Sequence, residues 1–169
     1  MRRKIHVAIV FNEPTVLTES GRRYISETGK IEQMASKAEV LAAVGQEAVD
    51  MSEVGVLEER EHVQRALQHA GYRATLFNMN GEIQRLLDFA KQKQPDLIFN
   101  LCESVGNEST HEMHVAGLYE LLGIPYTGAP AFALGTCLNK ARTKEILAYH
   151  EIKTARFVVY KNPSEVTEE

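Results

Sequence analysis

Residues Asp96 to Glu112 read DLIFNLCESVGNESTHE. Four of the first six are apolar, and the run reads as a strand buried on both faces of a parallel sheet. Polar residues follow at once: Cys102, Glu103 and Ser104, then Gly106, Asn107 and Glu108, then His111 and Glu112. From Glu112 to Leu122 apolar side chains recur at helical spacing, and Gly123 ends the run. Strand, polar loop and helix in that order are the repeating half of a βαβ chain. Sheets built this way bind ligands at the carboxyl ends of their strands, beside helix N-termini. Position alone therefore makes this loop a candidate site.

The same rhythm extends in both directions. Lys4 to Phe11 predicts a buried first strand, ended by Asn12-Glu13-Pro14. Val56, Val63, Leu67 and Ala70 share one helical face, with Ser52 as a candidate N-cap and Gly71 as the stop. Tyr72 to Met79 predicts a second strand. Glu82 to Lys93 predicts a helix with Ile83, Leu86, Leu87 and Ala90 inward, broken at Gln94-Pro95. Ile124 to Thr127 predicts a short strand or extended turn, Leu138 to His150 a helix, and Arg156 to Tyr160 a last strand. The expected fold is α/β, with a mainly parallel sheet flanked by helices. Residues 12–50 fit this rhythm poorly. They contain a candidate helix with Met34, Ala38, Leu41 and Val44 or Ala48 on one face. So long a connection reads as an insertion or a mobile functional loop. A strand as near the end as Phe157 to Tyr160 suggests a piece of a larger protein.

Bulk properties exclude several classes. With 169 residues the chain is long enough for one domain with its own core. A formal net charge of -4 speaks against nucleic-acid and anionic-membrane partners. No apolar run approaches the roughly 20 residues of a membrane span. The start, MRRKIHVAIVF, lacks the pattern of a signal peptide. Cys102 and Cys137 read as reduced thiols in a cytoplasmic protein.

Several chemistries compete for the polar loop. Cys102, His111, His114, Glu103, Glu108 and Glu112 are zinc-compatible types, but there is no CxxC and no HExxH, so no metal site is expected. Cys102 follows a buried strand without a nucleophile-elbow pattern, and a small residue filling space is the better reading. No glycine pattern for phosphate occurs. One basic cluster does stand out, Asn139-Lys140-Ala141-Arg142-Thr143-Lys144. It reads either as a solvated helix start capped by Asn139 or as an anion site. Lys140 falls in the first helical turn, where the helix dipole disfavours a cation, and that placement makes more sense if Lys140 meets an anion.

Gly117 to Tyr160 resembles the N-terminal region of D-alanine–D-alanine ligases, members of the ATP-grasp superfamily. The resemblance rests on ELLGIPYTG, CLNKARTKEIL and H-x-I-x-T-x-x-F-V-V, with DLIFNLCE before them and residues 56–71 further upstream. It implies a Rossmann-like pre-ATP-grasp domain over residues 1–155 and the start of a truncated ATP-grasp domain over 156–169. It implies a ligase that phosphorylates a carboxylate with ATP and joins it to an amine. Lys140 matches the family lysine that contacts the nucleotide phosphates. Glu53, Glu103 and Glu108 are the candidates for binding a substrate ammonium. The resemblance also implies ATP and Mg²⁺ in a full-length protein, with the magnesium ligands downstream of Glu169, a small amino-acid or amine substrate, and an inactive fragment. Apolar surface left by the absent domains favours a homodimer. Cys102-Glu103 departs from the family's His-Gly, Gly106-Asn107-Glu108 from its Gly-Glu-Asp, and Ser52 stands where a glutamate is usual. These departures leave room for a substrate other than D-alanine, and for a non-catalytic module that binds a ligand or partner.

Overall fold

The computed structural model describes residues 3–12, 15–18, 21–24, 55–105, 108–160 and 162. Its centre is β1 (His6–Phe11), whose six residues are all buried. β4 (Arg73–Asn78) pairs parallel on one side and β5 (Leu97–Leu101) parallel on the other, giving the order β4-β1-β5. Between β1 and β4 in sequence, β2 (Thr15–Thr18) and β3 (Gly21–Tyr24) form a separate antiparallel pair. This hairpin occupies part of the segment expected as an insertion. The candidate helix over residues 34–48, with Ser52 and Glu53, lies outside the described residues.

The side-chain alternation of a strand divides β1 between two layers. Ala8 and Val10 join Met79, Leu86, Ile98, Cys102, Val115 and Tyr119 in one apolar cluster. Leu86 comes from α2 (Ile83–Lys93), and Val115 and Tyr119 from α3 (Glu112–Leu121), so these helices close that face. The opposite face carries Phe11 and is covered by α1 (Val56–His69), which packs on β1 and β4. There the sequence expectation needs correction. Arg60 takes a buried place on α1, its guanidinium stacked over the Phe11 ring at 4.6 Å, while Ala70 is exposed. The aliphatic stem and planar head of arginine cover an aromatic face well.

Three further expectations are corrected. Ile83 is exposed, because it begins α2 before the helix meets the sheet. β5 is not buried throughout: only Ile98 is fully covered. Its outer edge is met at a single parallel bridge to Tyr126, through Ile98 N–H to the Pro125 carbonyl (2.8 Å) and Thr127 N–H to the Ile98 carbonyl (3.0 Å). The strand covered on both faces is β1 instead. Arg156 to Tyr160 forms no strand. Its β-branched residues are exposed, Val158 by 72%, and a strand needs a ladder partner that no neighbouring described residue offers. The segment is held to α5 (Lys140–Tyr149) by Lys144, whose Nζ donates to the Ala155 carbonyl at 2.8 Å and sits 5.2 Å from the Phe157 ring.

The expected helix from Leu138 is α5, which begins at Lys140, and a further helix that the sequence reading did not foresee precedes it. α4 (Ala131–Leu138) ends at Asn139, which turns extended and starts α5 by accepting a hydrogen bond from Arg142 N–H (3.0 Å). The capping role of Asn139 is as the sequence predicts.

Candidate functional site

Strand order fixes where the site lies. The chain leaves β1 for β4 on one side, and leaves β5 for the Tyr126 bridge on the other. Connections that diverge in this way open a crevice between the carboxyl ends of β1 and β5. Asn12, just past the end of β1, fills its floor. One Asn12 N–H donates to Cys102 Sγ at 3.1 Å and another to the Ser104 carbonyl, while its Oδ1 accepts from Gly81 N–H at 2.9 Å.

The β5 end is held from below as well. Asn100 Oδ1 accepts from Cys102 N–H (3.3 Å) and from the Tyr119 hydroxyl (3.0 Å). Burial, first, and the neighbouring Cys102 push the Tyr119 hydroxyl far above its ordinary pKa, so it stays a donor. Asn100 N–H reaches the Thr127 hydroxyl at 3.0 Å. Cys102 is 1% exposed and donates its thiol to the Ser104 carbonyl (3.4 Å). A thiol so enclosed packs and orients the loop.

Above this floor the chain turns outward. Glu103 is exposed between two buried neighbours, Cys102 and Ser104. Val105 and Glu108 pair through both backbone bonds (3.3 and 3.4 Å), and His111 Nδ1 donates to the Val105 carbonyl at 3.0 Å. A short 3-10 turn, Ser109–His111, then leads into α3. Glu112, in the first turn of α3, is half-buried; burial, and then the Glu103 charge, raise its carboxyl above the ordinary range. Glu103 and Glu112 therefore share one electrostatic neighbourhood, which suits a cationic group.

Of the sequence-predicted residues, Glu103 and Glu108 stand on this loop, both exposed. Lys140 is exposed in the first turn of α5, which packs on α4, and α4 in turn on α3. Glu53 lies outside the described residues. Sequence reading missed Asn12, taken only as a strand terminator, and the linkage of Glu112 to Glu103. Its signal was an acid at a helix start. Among the described residues no three His, Cys, Asp or Glu side chains are grouped so as to hold a metal ion. No helix of the described residues is long and apolar enough to cross a membrane.

At the amino ends of the strands lies a shallow cavity of about 520 Å³, lined by Arg3, Lys4, Ile5, Asp96, Leu97 and Pro125. Asp96 there accepts from His6 N–H (2.8 Å) and Arg3 (2.7 Å), which hold its carboxyl below the usual range. These bonds tie strand starts together at the end where parallel sheets do not bind ligands.

No family model matches the chain. It is 34% identical over 119 residues to a D-alanine–D-alanine ligase of Zymomonas mobilis, covering 70% of this chain and 35% of that protein. It is 33% identical over 99 residues to the D-alanine–D-alanine ligase of Moorella thermoacetica, covering 58% of this chain and 30% of that protein. The chain thus spans about a third of the length of the curated relatives it matches. In structure it resembles D-alanine–D-alanine ligase from Bacillus anthracis, with a TM-score of 0.50 at 19% identity, over 89% of this chain and 36% of that one. At that identity the likeness concerns the fold, the Rossmann-like α/β domain expected from the sequence. The chain is D-alanine–D-alanine ligase-like.

Proposed function

We propose that this D-alanine–D-alanine ligase-like chain is the substrate-facing N-terminal domain of an ATP-dependent carboxylate–amine ligase that works through an acyl phosphate. The reading rests on the exposed carboxylates of Glu103 and Glu108, beside the half-buried Glu112, at the switch point of the sheet. Such a group attracts and orients a substrate ammonium, and on this reading Glu53 joins the set. Lys140 neutralises nucleotide phosphate charge from the first turn of α5. ATP supplies the phosphoryl group that activates the carboxylate. The grouping of acids among the described residues does not suit Mg²⁺ by itself, so the metal would ride on the ATP phosphates and on residues elsewhere in a longer protein. The loop contributes positioning and charge complementarity. Expected turnover by the 169-residue chain alone is nil, and the expected location is the cytoplasm.

The test is a nuclear magnetic resonance titration of the ¹⁵N-labelled chain. D-Alanine is expected to shift the amides of Glu103, Ser104, Val105 and Glu108, and propionate, which lacks the ammonium, to leave them in place. Equal shifts from both compounds would sink the ammonium reading. Micromolar ATP binding by the chain alone would contradict a nucleotide site built mostly from other domains. A second reading, a non-catalytic module that binds a partner or a second copy of itself, draws on the exposed Leu121 and Phe132.

A further inference from the structure

We infer that Asn12 is a positioning residue of the ligand-facing loop: its side chain holds the Cys102 thiol on one side of Glu103 and the Ser104 backbone carbonyl on the other, and so sets where that carboxylate meets a substrate ammonium. The inference rests on the reading of Glu103 given above.

Asn12 is 7% exposed and every arm of its amide is used. An asparagine side chain has two N–H donors and one carbonyl acceptor. Here the donors go to Cys102 Sγ and to the Ser104 carbonyl, and the acceptor takes Gly81 N–H. One side chain thus ties together the chain just past the carboxyl ends of β1, β4 and β5. Cys102 and Ser104 are the two residues that flank Glu103, and both are buried while Glu103 is exposed. The chain is therefore held immediately before and after the group that faces solvent, through the side chain at Cys102 and through the backbone at Ser104. The pin is itself braced, since Cys102 N–H is held by Asn100 Oδ1, and Asn100 by the Tyr119 hydroxyl.

No other side chain of this size makes the same three bonds. Aspartate keeps the acceptor for Gly81 but presents an oxygen, not a donor, to the Ser104 carbonyl. A leucine or alanine leaves all three partners without Asn12's bonds, at a cost typical of buried polar groups. Substrate orientation to within a fraction of an ångström matters more to a ligase than affinity, and a pinned loop supplies it.

The experiment uses the whole chain with Asn12→Asp, Asn12→Ala and, as a control for plain destabilisation, Ile9→Ala. Ile9 is fully buried in the same strand and, by the strand's alternation, lies on the opposite face, outside the apolar cluster that holds Cys102. Both Asn12 variants are expected to weaken D-alanine binding roughly tenfold, the scale of one lost ordering bond. They are also expected to speed hydrogen exchange at the Ser104 and Val105 amides beyond the change in global stability. Ile9→Ala is expected to lower Tm while leaving affinity and those exchange rates, once corrected for stability, within about twofold. Asn12 variants that bind as tightly as the unsubstituted chain overturn the inference, as does equal weakening by Ile9→Ala. If the unsubstituted chain shows no D-alanine binding, the ammonium reading falls. The exchange rates still decide whether Asn12 holds the loop, and unchanged rates in both Asn12 variants overturn that as well.

Discussion

Glu112 shows how a single carboxyl can stand between stability and binding. Burial, with the Glu103 charge second, raises its pKa above the ordinary 4.5. The folded state therefore holds this proton more tightly than the unfolded chain does. Its contribution is best at low pH and is lost as pH rises from about 4.5 through the raised value. Glu112→Gln, which mimics the protonated form, is expected to raise Tm at pH 7 and to leave it nearly unchanged at pH 4. Scanning calorimetry at the two pH values checks this, and a shift of equal size at both would remove the carboxyl as its cause. The same variant should weaken D-alanine binding if Glu112 adds to the field around Glu103. Stability gained at the expense of binding is the pattern expected of a functional site.

Elements with strong local signals were legible in the sequence, and those made by neighbours were not. β1, α2 and α3 follow from apolar runs and periodicity, and α5 from the Asn139 cap. Asn139→Ala is accordingly expected to cost about 1 kcal/mol, read from urea melts, since it strips the one side-chain cap at the start of α5. The opposite case is α4, whose sequence AFALGTCL is apolar on all sides and carries no helical period. What makes it a helix is tertiary: it lies against α3, where Gly117 approaches Ala131 and Gly135 approaches Met113. A Cβ at Gly135 would stand 2.6 Å from the Met113 sulfur, too close without movement of that side chain. Gly135→Val is therefore expected to lower stability by about 2 kcal/mol, and adding Met113→Ala to restore part of the loss. Additive losses in that double-mutant cycle would show that the two sites do not touch. The failure at Arg156 to Tyr160 has the same origin. Val158, Val159 and Tyr160 have strand chemistry, but strand structure requires an edge to pair with, and none among the described residues meets them.

At the scale of the molecule, a parallel sheet was legible and its strand order was not. Alternating helices and strands imply parallel pairing, but nothing in the order of residues says that β1 lies between β4 and β5. That order creates the crevice at Asn12, so the acidic loop could be foreseen in the sequence while the residue beneath it could not. The same architecture leaves large apolar side chains exposed among the described residues. Leu121 at the end of α3 is 86% exposed, Phe132 in α4 88%, and Tyr149 in α5 83%. Large apolar side chains at that exposure, on three successive helices, are more than a soluble monomer ordinarily carries. The chain alone is therefore expected to self-associate, with a sedimentation-equilibrium mass that rises towards the dimer at roughly 100 µM, a concentration set by a modest apolar contact. Leu121→Ser with Phe132→Ser should return it to a monomer. Because both side chains are already in solvent, the pair should shift stability by no more than about 1 kcal/mol. A monomer at every concentration would show that this surface is tolerated uncovered. A dimer that survives the double substitution would move the contact to another face, away from α3 and α4.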